Sequence, residues 1–366
     1  MKRLHSLPLM LAISLLASCS TPKASISYER VALQESPAVA TTPGLNQSML
    51  NEMHTRIQTQ AEYKHAFSML MVKDGVLVSE AYFNGYKPDQ RQNVKSVTKS
   101  ILSLLVGIAQ DRGHLRNVDQ TMGELFPEHL AAQQDTLKPT ITLHHALTMQ
   151  TGLKWYENME WLFNISWDPN WMFRSKNTVQ YVLGLDMEDV PGGHFHYSTG
   201  SSQLVAGALQ KMTGKSPFEF AREHLFTPMG LEQVGWKAGR DGLNYGGVGL
   251  ELTPREMAMI GQLCLQKGRW NGRQLVPEGW IEQSTRGYTR FDQEDGPYGY
   301  HWWIRPFGYS AQGYGGQYIY VLPDWNTVIV FTARNNRPHH ISHQPVEHLI
   351  TNYILKALHP DQEADS

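Results

Sequence analysis

Cysteine is almost missing: the 366-residue chain carries only Cys19 and Cys264, so a cystine framework cannot hold the fold together. No apolar run reaches the roughly 20 residues that a membrane-spanning helix needs. Neither sign of charge is in excess, with 32 Lys+Arg against 34 Asp+Glu and a formal net charge of −2. Without a Lys/Arg-rich run, nucleic acid is not an expected partner. There is no internal repeat. There is also no H-E-x-x-H among the 16 His, and His144-His145, His194-Phe195-His196 and His339-His340 lack a neighbouring ligand set, so no metal is expected. A G-x-S-x-G nucleophile elbow is likewise wanting, since the near miss Gly308-Tyr309-Ser310-Ala311-Gln312 fails at its last position.

What is present reads as an ordinary globular chain, 41% apolar and 18% charged, long enough for one large domain or two modest ones. Its start is different in kind. Lys2 and Arg3 precede an apolar stretch from Leu7 to Ala17, too short to span a bilayer, and Leu16-Ala17-Ser18-Cys19 follows. That tetrapeptide resembles a bacterial lipobox, which implies removal of residues 1–18 and diacylation of Cys19. Ser20 in place of Asp resembles the outer-membrane sorting rule, so the expected location is the cell envelope, lipid-anchored on the periplasmic face. Residues 19–45, rich in Ser, Thr, Pro and Ala, read as a flexible tether, and 46–360 as the folded domain.

Within that domain, Ala66 to Val72, the turn Asp74-Gly75, and Val76 to Val78 predict a hairpin with both faces apolar. A helix starts near Ser96, with Ile101, Leu104, Leu105 and Ile108 at helical spacing and Gly113 as its stop. A helix- and loop-rich middle includes Val205, Ala208, Leu209 and Met212 on one face. Thr253-Pro254-Arg255-Glu256 is a capping box with Pro at the first helical position, opening a helix expected to end at Gly268. Cys264 shares a helical stripe with Met257 and Ile260 and reads as a buried hydrophobe. Strands return at Tyr318 to Leu322 and Thr327 to Thr332, and a last helix carries Val346, Leu349, Ile350 and Tyr353 just after Pro345. Strands at both ends with helices between them predict an α+β fold: one sheet built from the N- and C-terminal segments, a helical lobe, and a cleft between the two.

Ser96-Val97-Thr98-Lys99 places a hydroxyl and an amine three residues apart, on one face of the buried helix. A Ser hydroxyl is a poor nucleophile without an adjacent base, and a desolvated Lys can serve as one. The N–H groups at the start of the helix suit a developing oxyanion. A second S-x-x-K, Ser20 to Lys23, lies in the tether and heads no such helix. A further proton carrier is needed, and Tyr197-Ser198-Thr199 stands immediately before the Val205/Leu209 helix. The rival Tyr156-Glu157-Asn158 is not followed by a comparable apolar helix. Trp155, Trp161, Trp167 and Trp171 lie between the two motifs and either line the cleft or pack the helical lobe.

From about Phe67 to Leu358 this pattern resembles the serine β-lactamases and penicillin-binding proteins, specifically the class C-like hydrolases that include esterases and 6-aminohexanoate-dimer hydrolase. The resemblance rests on SVTKS from Ser96, LTMQTGLKW from Leu147, HYSTGSS from His196, the long block from Leu252 to Trp280, YGYHWW from Tyr298 and QGYGGQYIYVLP from Gln312. It implies a β-lactamase/transpeptidase-like fold and a two-step mechanism without metal or cofactor. Ser96 acylates, Lys99 and Tyr197 handle its proton with the true base left open between them, and water releases the acyl group. The resemblance also implies an oxyanion hole from the Ser96 N–H and the late strand bearing Gly313, Tyr314 and Gly315. The K-T-G of lactam-recognising relatives is replaced here by Gln312-Gly313-Tyr314, and Thr199 stands where Asn or Ser is commoner. Both changes favour a small-molecule ester or amide substrate. A D,D-peptidase or weak β-lactamase, and a non-catalytic envelope binding protein of the same fold, are the alternatives. The anchor reading has its own test: Cys19→Ser should shift the protein from the membrane to the soluble periplasmic fraction on cell fractionation, and unchanged membrane association would refute it.

Overall fold

The computed structural model of the chain describes residues 34–35, 45–131, 133–157, 168–289, 296–334 and 342–358; residues 1–18, expected as a signal segment, and Cys19 lie outside them. The described strands are β1 (Gln34–Glu35), β2 (Ala66–Lys73), β3 (Val76–Tyr82), β4 (Gln92–Asn93), β5 (Gly235–Trp236), β6 (Leu250–Leu252), β7 (Arg269–Trp270), β8 (Arg273–Gln274), β9 (Trp303–Arg305), β10 (Gly308–Gly313), β11 (Gln317–Leu322) and β12 (Thr327–Ala333). The main sheet runs β1-β3-β2-β12-β11-β10-β9. The expected hairpin is β2/β3, and β12 joins the two chain ends by pairing antiparallel with β2, Val330 opposite Leu70. The fold is the expected β-lactamase/transpeptidase-like α+β arrangement, an antiparallel sheet with flanking helices.

The strands are apolar on both faces because both faces are covered. Leu70, Val72, Ile319, Val321, Val328 and Val330 pack with the helices Val97–Asp111 and Pro254–Leu265. Their alternating neighbours Met69, Met71, Tyr318, Tyr320, Ile329 and Phe331 pack with the helix Gln47–Thr59 and the C-terminal helical segment, through Leu50, Met53, Ile57, Val346, Leu349 and Ile350. The helix Val97–Asp111 is buried from Val97 to Ala109, which is why its pattern is almost wholly apolar.

Some expectations shift. The helix Gln47–Thr59 precedes the hairpin and supplies the lower layer; its Leu50/Met53/Ile57 stripe was there to be read. Inside the expected tether, Gln34–Glu35 pair in parallel with Val76 and Leu77. The Thr253 capping box forms as expected, but the α-helix ends at Leu265. Gly268, at φ +80°, closes the following turn by donating to the Leu263 carbonyl at 2.8 Å. Among the described residues no helix is long and apolar enough to cross a membrane.

Gly261 shows how closely the helix Pro254–Leu265 sits on the sheet: a Cβ there would lie 2.4 Å from Val328 Cγ1 and 2.8 Å from Ile319 Cγ2. Gly261→Ala should therefore destabilise the fold by about 1–3 kcal/mol through overpacking. Gly279→Ala, in the helix Glu278–Ser284 where an added Cβ meets nothing within 4 Å, should be neutral or stabilising by up to about 1 kcal/mol. Denaturant melts of both variants check the pair; equal effects would contradict the packing described.

Candidate active site

Three separate parts of the chain meet at one amine. Ser96 stands at the N-cap position of the buried helix Val97–Asp111, its side chain making no capping bond, and Lys99, one turn on, is 1% exposed. Its Nζ lies 2.9 Å from Ser96 Oγ, 3.1 Å from Thr199 Oγ1 and 3.2 Å from the Gly247 carbonyl oxygen. Tyr197 closes the fourth side, with Lys99 Nζ 4.8 Å from the centre of its ring. The phenol ring meets the amine with its face, and its oxygen makes no hydrogen bond among the described residues. The sequence-derived trio Ser96, Lys99 and Tyr197 is thus brought together.

The proton inventory around the amine is restrictive. Thr199 spends its one hydroxyl proton on Glu157 Oε1 at 2.5 Å, so it can only accept from Lys99. A carbonyl such as Gly247's can only accept as well. Two N–H groups of Lys99 are thereby committed, and the remaining direction points at Ser96 Oγ. In the neutral amine that direction is a lone pair facing the serine hydroxyl, the arrangement a general base requires.

Glu157 is the organiser behind Thr199. It accepts from the Thr199 N–H at 2.6 Å, from the Thr199 hydroxyl, and from Trp155 Nε1 at 2.8 Å. Thr199 opens the helix Thr199–Thr213, so the carboxylate also satisfies a free N–H at the positive end of that helix. Ser198 caps the same end by accepting from the Ser201 N–H at 3.0 Å.

The small sheet β4-β6-β5 delivers Gly247. Val94 donates to the Leu250 carbonyl at 2.9 Å, and Asn93 Oδ1 accepts from the N–H groups of both Lys95 and Gly249, at 2.9 and 3.3 Å. Lys95 is held at φ +52°, a turn that aims the next residue, Ser96, out of the strand direction. The Ser96 N–H has no acceptor among the described residues, which leaves it available to an oxyanion. Gly313 ends β10 directly over this turn: a Cβ there would lie 2.2 Å from the Val94 oxygen and 3.2 Å from Lys95 Cβ. Tyr314 and Gly315, with φ +85° at the latter, form the turn into β11.

The aromatics sort differently. Trp155 is buried at 2% exposure and Trp171 is 45% exposed; Trp161 and Trp167 lie outside the described residues, as does Asn158 of the rival motif. Instead, Phe195, Tyr298 and Trp303 form a wall beside Tyr197, with Trp303 stacked on its ring at 5.9 Å. Ser310 of the near-miss elbow is fully buried within β10 and takes a bond from Gln312. Cys264 is buried, and burial raises its thiol pKa. His144 bonds the Tyr300 hydroxyl at 2.8 Å and His196 bonds the Trp155 carbonyl at 2.7 Å; His339-His340 lies outside the described residues.

The Beta-lactamase family model matches residues 58–351. The chain belongs to the beta-lactamase family. Among curated members, 6-aminohexanoate-dimer hydrolase of Paenarthrobacter ureafaciens is 22% identical over 311 residues, covering 80% of this chain and 79% of its own. A penicillin-binding protein homolog from Caulobacter crescentus superposes with a TM-score of 0.67 at 16% identity, covering 85% and 97% of the two chains. EstCE1, a hydrolase with promiscuous acyltransferase activity, gives 0.69 at 13% identity, covering 86% and 99%. Neighbours of this beta-lactamase family member are thus hydrolases and penicillin-binding-protein-like folds, and the family is one of hydrolases.

Sequence reasoning missed Glu157, Gly247 and His301. Glu157 was passed over as the middle of a discarded motif, and Gly247 acts through its backbone and leaves no side-chain signal. His301, inside the YGYHWW block, is 1% exposed at φ +62°. Its Nδ1 donates to the Lys99 carbonyl at 3.0 Å, its own carbonyl accepts from Ser100 Oγ at 2.6 Å, and its N–H donates to the Leu147 carbonyl at 3.1 Å. Burial, and secondarily the Lys99 charge, lower its pKa from 6.5 to about 3. The unfolded chain therefore binds a proton below about pH 6.5 that the fold refuses, and stability falls as pH drops from there towards 3, by up to about 1.4 kcal/mol per unit. Denaturant midpoints between pH 4 and 7 should show a shallower slope for His301→Gln than for wild type. Parallel slopes would contradict the buried neutral imidazole.

Proposed function

We propose that the protein is a serine hydrolase that cleaves an ester or short amide through an acyl-serine. One observation carries the reading: Lys99 Nζ, with two of its directions fixed by acceptors that cannot donate, points the third at Ser96 Oγ from 2.9 Å. Lys99 takes the serine proton as Ser96 Oγ bonds to the substrate carbonyl carbon. The carbonyl oxygen becomes an oxyanion at the Ser96 N–H and the β10 end at Gly313–Tyr314. As the tetrahedral intermediate collapses, the hydroxyl of Tyr197, whose ring centre lies 4.8 Å from the Lys99 amine, turns to relay the proton to the leaving alcohol or amine. Water then attacks the acyl-serine, giving its proton to the same pair, and Ser96 leaves protonated with the acid released.

Glu157 and Thr199 act as positioning residues, keeping the amine's lone pair on the serine. The absence of K-T-G favours esters and amides over lactams, and the likeness to 6-aminohexanoate-dimer hydrolase supports that preference. The lipobox-like Leu16-Ala17-Ser18-Cys19 supports a location on the periplasmic face of the envelope, where small substrates that reach that compartment would be cleaved.

Ser96→Ala should abolish turnover of p-nitrophenyl butyrate, a loss of at least about 10³-fold in kcat, with the melting temperature unchanged. Residual activity near wild type in the pure variant would remove Ser96 from the mechanism. Thr199→Val should lower kcat far more than it changes KM, while Thr199→Ser keeps most of it. Equal kinetics for Val and Ser would rule out the positioning role.

A further inference from the structure

The lysine that the K-T-G motif would supply is absent, yet an uncompensated cation stands beside the nucleophile. Lys95 directly precedes Ser96 and is about half-buried. Its ammonium has no hydrogen bond or ion pair among the described residues: the contacts made by Lys95 are those of its backbone N–H with Asn93 and its carbonyl with the Thr98 N–H. Among the described residues, the charge that acts on it is Lys237, another cation. Burial and that ammonium together hold the Lys95 pKa below its ordinary value.

The two lysines follow the two outer strands of the small sheet. Lys95 follows β4, Lys237 follows β5, and β6 lies between them. Lys237 is tied back by its N–H to the Gly249 carbonyl at 3.0 Å, and a Cβ on Gly249 would lie 3.0 Å from Lys237 Cβ. Glu251 of β6 lies 3.9 Å from Lys237 Nζ at a largely exposed position, and among the described residues no carboxylate pairs with Lys95. Lys95 Cβ also packs under Gly313, at the strand end where a substrate would lie. The turn is sterically unfavourable for a residue with a side chain, and glycine would fit it more easily, yet lysine occupies it at φ +52°.

We propose that Lys95, with Lys237 behind it, forms an anion subsite that binds a carboxylate carried on the acyl part of the substrate. This rests on the serine hydrolase reading and narrows its substrate class to monoanionic esters and amides. A bound carboxylate would supply the missing countercharge and relieve the repulsion between the two ammonium groups. The cation thus sits on the loop leading into the nucleophile helix rather than on the late strand.

The test compares the p-nitrophenyl monoester of adipic acid, which carries a free carboxylate, with its methyl-capped neutral diester. Wild type should prefer the anionic ester in kcat/KM by about tenfold or more, the worth of one charge-assisted hydrogen bond, and 0.5 M NaCl should shrink the preference. Lys95→Gln should bring the ratio close to one, chiefly through KM for the anionic ester, and Lys95→Arg should keep it. Lys237→Gln, at an exposed position, should reduce the ratio in part and serves as the second variant if Lys95→Gln does not fold. Equal use of the two esters by wild type, or a preference that survives Lys95→Gln, or Lys237→Gln where that variant alone folds, overturns the subsite. Failure of wild type to cleave either ester would overturn the hydrolase reading and the subsite with it.

Discussion

A lysine amine with 1% of its residue surface exposed must find partners for every direction it presents, because an unmet polar group in such a place costs about 1–3 kcal/mol and a charged one more. Lys99 meets that demand with oxygens from three parts of the chain: Ser96 on its own helix, Thr199 at the head of a second, and Gly247 beside the small sheet. If any of the three is displaced, the amine loses an acceptor. The fold around the site can therefore be read as the set of constraints that keeps those three oxygens in place.

Each constraint has an identifiable source. The helix Val97–Asp111 is fixed by burial of nearly its whole length between sheet and helical lobe. The helix Thr199–Thr213 is aimed by Glu157 and Ser198 at its first turn. Asn93 and Val94 fasten the Gly247 loop to the residues that lead into Ser96. His301 ties the Lys99 and Ser100 backbone and side chain to the loop preceding β9. Because these supports are hydrogen bonds in a dry interior, they hold the amine's geometry before any substrate arrives.

Much of this was legible where the signal is local. Ser96 and Lys99 are one helical turn apart, the apolar stripe from Ile101 to Ile108 announces a buried helix, and Asp74-Gly75 between apolar runs announces the hairpin. Tyr197 was readable from its place just before another apolar helix. What escaped depends on long-range pairing: Thr199 with Glu157 across 42 residues, Lys99 with Gly247 across 148, His301 with Lys99 across 202. No spacing rule connects such positions, and a backbone carbonyl has no residue type to betray it. The helix Gln47–Thr59 escaped for a different reason, since its three buried apolar residues are spread among mostly polar ones and look weak until the sheet face they cover is known.

The central claim is that Ser96 becomes covalently acylated because Lys99 deprotonates it. Intact-protein mass spectrometry after brief exposure to an alkyl fluorophosphonate, followed by peptide mapping, measures that reactivity without reference to any substrate. A single adduct on Ser96 in wild type, slowed at least about a hundredfold in Lys99→Met, is the expected result. An unlabelled Ser96, or labelling at the same rate without the Lys99 amine, would contradict the account.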